Sequence, residues 1–252
     1  MPYLSVEEID AIAKRIITVY KKLPNLPEQP PNRVYPELLI RHILGLSIQH
    51  HVLSLDGHIL GLTSSGEIAV SIYDDPVNPE YLFLNGKTLL IDKSLTDKGA
   101  NRGRYHFTLI HEGCHQIYQM LFPKEYHGSI ARRQIHYCKR TPSASDDYWE
   151  EWRANVLTSF ILMPEDMVRN NMIAFGLGNT LPRLNRVFSQ PDYDRFSEMA
   201  EYMGVSKTAL SIRLKRLGLL RDDYLKNPYS LADIYPQEDE MQFLQGELSC
   251  QE

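Results

Sequence analysis

Residues 107–118, "FTLIHEGCHQIY", hold two histidines four positions apart with a glutamate directly after the first. On a helix, positions i and i+4 lie about 40° apart and one turn apart, so His111 and His115 would aim their imidazoles at one point. Glu112, rotated by about 100° from His111, falls beside that point rather than on it. Two nitrogen ligands with an adjacent carboxylate suit a hydrolytic metal centre. A bound zinc ion lowers the pKa of a water molecule toward about 7, and the neighbouring carboxylate takes its proton and passes it to a leaving amine. A bare HExxH pattern is short enough to arise by chance on an ordinary amphipathic helix, so a third ligand must decide. Catalytic zinc sites take three protein ligands and leave one position open. The downstream candidates are His127, His136, Cys138, Asp146, Asp147, Glu150 and Glu151.

Glu151 has the best setting. "YWEEWRANVLTSFILMP" reads as a helix stopped at Pro164, with small Ala154 permitting close approach to a neighbouring helix. Glu151, Asn155 and Thr158 form one polar stripe on it, consistent with Glu151 as a metal ligand and Asn155 supplying a supporting hydrogen bond. The plain alternative is a pair of solvated glutamates favoured by the helix dipole.

The elements around these helices follow from pattern. "SVEEIDAIAKRIITVYKKL" opens with a capping-box spacing, Ser5 to Glu8, and continues with apolar residues at helical intervals. A proline-dense connector follows, then a second helix. Between about residues 44 and 92, short apolar runs separated by Asp56-Gly57, Ser64-Ser65-Gly66 and Asn85-Gly86 predict a small, mostly antiparallel sheet, with Asn85-Gly86 as the strongest hairpin signal. From Asn101 the pattern is helical almost to the end. The expected fold class is α+β: the sheet packed on a zinc-site helix pair, followed by a helical unit. The division reads as 1–34, an N-terminal helix and connector; 35–175, the metallopeptidase domain; 176–230, the helical unit; and 231–252, an acidic tail.

Taken together, "RYHFTLIHEGCHQIY" and "EEWRANVLTSFILMP", preceded by "GKTLLIDKSL", resemble the ImmA/IrrE family of metallo-endopeptidases over roughly residues 35 to 170. The shared elements are Arg104, Phe107, Thr108, His111, Glu112 and His115, then Glu151, Ala154, Asn155 and Leu162-Met163-Pro164. The resemblance implies one zinc ion on His111, His115 and Glu151, Glu112 as general base, and a protein substrate that is a DNA-binding transcriptional repressor. Mn2+ or Fe2+ would suit two histidines and one carboxylate as well. The chain departs from the family in carrying Gly113-Cys114 inside the motif, where a Leu-Gly pair is usual. Cys114 falls about 60° from His111 on the helical wheel, which opens a redox role near the metal beside the plain reading of a packed thiol. The linker's Tyr126, His127, His136 and Tyr137 are candidates for an oxyanion donor.

"SEMAEYMGVSKTALSIRLKRLGLL" has the pattern of a helix-turn-helix, with Lys207, Arg213, Lys215 and Arg216 as candidate nucleic-acid or partner contacts. A net charge of -5 over 252 residues weighs against DNA as the main partner. The alternative function is a non-proteolytic DNA-binding or sensor regulator. Three cysteines without CxxC spacing suggest reduced thiols. With no secretory apolar stretch and no membrane-spanning run, a cytoplasmic protein without a membrane partner is expected. The tail from residue 231 carries six acidic residues and no basic ones, which reads as a solubilising terminus or a restraint folded over the cleft.

Overall fold

A computed structural model describes residues 4–123, 135–139 and 148–231. Helix α1 (Val6–Tyr20) begins at the predicted capping box: the Ser5 hydroxyl accepts from the Glu8 amide, and the Ser5 amide donates to the Glu8 carboxylate at 2.8 Å. Its apolar stripe, Ile9, Ala13, Ile17 and Tyr20, is buried. The Tyr20 hydroxyl accepts from the Tyr35 amide at 2.9 Å and so holds down the far end of the proline-dense connector. The second helix is brief: α2 (Pro36–Leu38) runs directly into a π-helical turn, Leu39–Ile43.

The main sheet has four strands in the order β1 (Ser47–His51), β5 (Thr88–Asp92), β2 (Ile59–Ser64) and β6 (Ile135–Lys139). Strands β3 (Glu67–Ile72) and β4 (Glu80–Asn85) form a separate antiparallel pair. The sheet is mixed, because β1 runs parallel to β5 while β2 is antiparallel to both β5 and β6. Alternating apolar residues fit a core face in either strand direction, so pattern alone carried no sign of the parallel pair. Nor does Asn85-Gly86 close a hairpin: Gly86 takes a positive φ of 75°, but the turn hands the chain from β4 in one sheet to β5 in the other. The hairpin is β3–β4, and Asp75 organises its loop by accepting from the Val77 and Asn78 amides.

Period-two alternation along β5, and a register shift between Ile59 and Gly61 of β2, place the two strands between two interiors. Leu60, Leu89 and Ile91 enter the main core, whereas Leu62 and Leu90 join Leu53, Val70, Ile72 and Leu84 beneath the β3–β4 pair. The main core draws on residues from Leu4 to Leu220. Across it lies α3 (Arg102–Leu121), capped by Asn101 and packed on β2 and on α4 (Tyr148–Leu162). Helices α5 (Glu165–Ala174), α6 (Gln190–Met203) and α7 (Lys207–Arg216) follow. The short parallel strands β7 (Leu181–Leu184) and β8 (Leu220–Asp223) interrupt the expected helical run, as β6 does earlier. Gly204, with φ 67°, ends α6, and Ser206 caps α7 by accepting from the Ala209 amide.

Two glycines set how close α3 comes to its neighbours. A Cβ on Gly113 would stand 2.5 Å from Ile40 Cδ1, and one on Gly61 of β2 would stand 2.7 Å from Thr108 Cγ2 and 2.9 Å from Glu112 Cγ. Gly61→Ala is expected to destabilise the fold by about 1–3 kcal/mol through overpacking. A denaturant midpoint equal to that of the wild type would contradict this packing.

Candidate metal centre

His111 and His115 leave α3 on its buried face, 2% and 0% exposed, and Glu151 reaches them from the first turn of α4. The two Nε2 atoms are 3.2 Å apart; His111 Nε2 lies 3.2 Å from one Glu151 oxygen and His115 Nε2 lies 3.4 Å from the other. Ala154, one turn along α4, is small and fully buried, in keeping with the close packing of that helix. Phe107 stacks on the His111 ring at 6.0 Å and His136 on the His115 ring at 4.4 Å, which fixes both imidazole planes. Burial, reinforced by His136 and His111, holds the His115 pKa well below the usual imidazole value. The ring is therefore kept neutral, the form whose lone pair binds a cation. These three side chains could hold a metal ion.

Glu112 is wholly buried beside this cluster. Its Oε1 accepts from the Cys138 amide of β6 at 3.0 Å, while Oε2 has no hydrogen-bond partner among the described residues. Burial, together with the Glu151 charge, pushes its carboxyl well above the ordinary range, and the Cys138 amide opposes this. A cation at the cluster would supply the opposite charge that the site otherwise lacks. The unpartnered Oε2 therefore fits a neighbouring positive centre or a polar ligand.

Two further groupings overlap the first: His111 with Glu112 and Cys138, and His115 with His136 and Glu150. Both are looser. His136 Nδ1 is 3.8 Å from the Glu150 carboxylate, and Glu112 is already held by a backbone amide. Strand β6 brings His136 and Cys138 to the cluster, a role their sequence setting left open among several candidates. The alternation in "IHYCK", with His136 and Cys138 both buried, was the available signal. His127, Asp146, Asp147 and Tyr126 lie outside the described residues, as does the acidic tail beyond Leu231.

The remaining candidates fall elsewhere. Asn155 is exposed and, among the described residues, makes no hydrogen bond to Glu151, because the stripe expected along α4 turns toward solvent at that position. Thr158 is buried and donates to Cys114 Sγ at 3.4 Å. Arg213 faces inward: it is 4% exposed, donates to the Met163 carbonyl at 3.0 Å and lies over the Phe160 ring. Arg216 also lies over Phe160, Lys207 bonds the Tyr193 hydroxyl at 3.1 Å, and Lys215 is 3.9 Å from Asp223. No protein-family model matches the chain, and no curated protein matches it.

Burial raises the Cys114 thiol to about 12 and also raises that of Cys138. Both are therefore unreactive thiols in the folded state. Peptide mapping after brief labelling of the native protein with a thiol reagent is expected to leave Cys114 and Cys138 unmodified. Rapid modification of Cys114 would reopen a redox role.

Proposed function

We propose that the chain is a metal-dependent hydrolase of the HExxH type, with His111, His115 and Glu151 as ligands and Glu112 as general base. More narrowly, it acts as a zinc endopeptidase of the ImmA/IrrE kind, cutting a DNA-binding repressor. The observation that carries this reading is the triangle of ligand atoms with edges of 3.2, 3.2 and 3.4 Å. Ligands about 2.0–2.2 Å from a tetrahedral zinc ion stand about 3.3–3.6 Å from one another, close to those edges. Two neutral imidazoles can also share one N–H···N bond, but a carboxylate oxygen beside each nitrogen is better accounted for by a shared cation. The substrate class rests on the motif resemblance alone.

A bound zinc ion would polarise the scissile carbonyl and acidify a water molecule. Glu112, held by the Cys138 amide through one oxygen, keeps the other free to take that proton and deliver it to the leaving nitrogen. Burial keeps bulk water from competing for the same proton. His136, stacked on His115, is a candidate to donate a hydrogen bond to the developing oxyanion. We read α6 and α7 as a helix-turn-helix-like unit in a packing role, since the basic side chains of α7 are engaged within the chain. That arrangement favours the peptidase over the DNA-binding regulator.

Elemental analysis of the purified protein is expected to find about one zinc ion per chain, falling below about a tenth in Glu151→Gln and His115→Ala. Absence of metal from the wild type after reconstitution would overturn the proposal. Glu112→Gln should keep the metal yet lower the peptidase rate by about 10²–10⁴-fold, measured on a cleavable repressor or peptide pool. Chelation should abolish activity and lower the melting temperature, because the ion binds the folded state alone.

A further inference from the structure

A cavity of about 460 Å³ opens between the N-terminal half of α3, strands β2 and β6, the end of α4 and the start of α7. It contains none of His111, Glu112, His115 and Glu151 but adjoins them, since Phe107 and Cys138 line it and also touch His111 and Glu112. Its volume is within the range of small-molecule sites, about 300–1,000 Å³. Leu60, Phe107, Leu162 and Met163 give it apolar walls. Arg104 and Lys139 also line it; both are exposed, so their charges sit on its solvent side. Among the described residues neither makes an ion pair, and no acidic residue lines the cavity. The caps Asn101 and Ser206 border it too, so the positive ends of α3 and α7 add to the same field.

Apolar walls and two cations without an ion-pair partner among the described residues select one chemical class. We propose that this cavity binds an amphipathic anion, a carboxylate or phosphate carrying an apolar body, with the anionic group between Arg104 and Lys139. Such a site does not depend on the metal-centre reading. The anion is either a free small molecule or an acidic group of a polypeptide, and both present the same chemistry to the two cations.

The test is calorimetric titration of the full chain with octanoate and with phenyl phosphate, repeated after chelation so that no signal comes from a carboxylate on a metal. Saturable one-to-one binding that survives chelation is expected for at least one probe. Octanol, lacking the charge, should bind at least about tenfold more weakly, and so should octanoate with Arg104→Ala or Lys139→Glu, each having lost one charge-assisted contact. Both positions are on the surface, so the variants should fold, and an unchanged circular dichroism melt would verify it. Ala209→Trp, which fills the cavity with both charges in place, should abolish binding. The site is overturned if neither probe saturates by about 10 mM, if octanol binds as well as octanoate, if binding vanishes on chelation, or if the charge variants bind normally. Displacement of octanoate by a blocked acidic peptide would assign the anion to a polypeptide. Failure of that peptide to displace it would assign the anion to a free small molecule.

Discussion

Two imidazoles and a carboxylate are buried where α3 crosses the sheet, and the rest of the molecule is arranged around that burial. An unpaired polar group in such a setting costs roughly 2–7 kcal/mol, and an isolated charge far more. Here His115 is held neutral, Glu112 is pushed toward its protonated form, and Glu151 keeps 36% of its side chain exposed. Each group therefore avoids the full penalty by a different route. A shared cation would ease the charge balance of these groups together, since it rewards the neutral imidazoles and the ionised carboxylates. Mutual hydrogen bonding could satisfy one histidine pair but would leave Glu112 with one oxygen unpartnered.

Close packing keeps these groups in place. Gly61 removes a side chain from β2 at the point where Thr108 and Glu112 press against it, and Gly113 does the same toward Ile40. The inner pair of the motif therefore serves packing: Gly113 admits Ile40, and Cys114 fills fully buried space against Thr158. A leucine in place of Gly113 would present a large side chain to Ile40, so the glycine goes with the close approach of the π-helical turn to α3. Sequence spacing fixed neither contact, because both partners are distant along the chain.

What could be read from the sequence divides along the same line. Features set by local geometry were legible: the Ser5–Glu8 capping box, the helix bearing His111 and His115, and the helix ending before Pro164 that carries Glu151. Those depend on a 3.6-residue period and on capping chemistry, which act over one or two turns. Features set by long-range pairing were not. Asn85-Gly86 forms its turn, yet whether a turn closes a hairpin depends on which ladder each flanking strand joins. Strand β6 lies within a stretch read as linker, and only its antiparallel pairing with β2 reveals that His136 and Cys138 belong to the site. Similarly, Arg213 looks like a surface cation by type and spacing, but its burial follows from where α7 meets the end of α4.

Strand β6 joins these arguments. It holds Glu112 through the Cys138 amide, presses His136 on His115 and contributes Lys139 to the neighbouring cavity, all within five residues. Alternation accounts for the first two, since His136 and Cys138 share the face toward α3, and Lys139 borders the cavity from the exposed end of the strand. Because β6 is the last strand in the order β1-β5-β2-β6, β2 is the only strand it pairs with among the described residues. Any shift of β6 along β2 would move a carboxylate's hydrogen-bond donor, a stacked imidazole and a cavity cation together. The metal cluster and the neighbouring cavity are therefore mechanically linked through one short strand, whose Cys138 holds Glu112 and also lines the cavity.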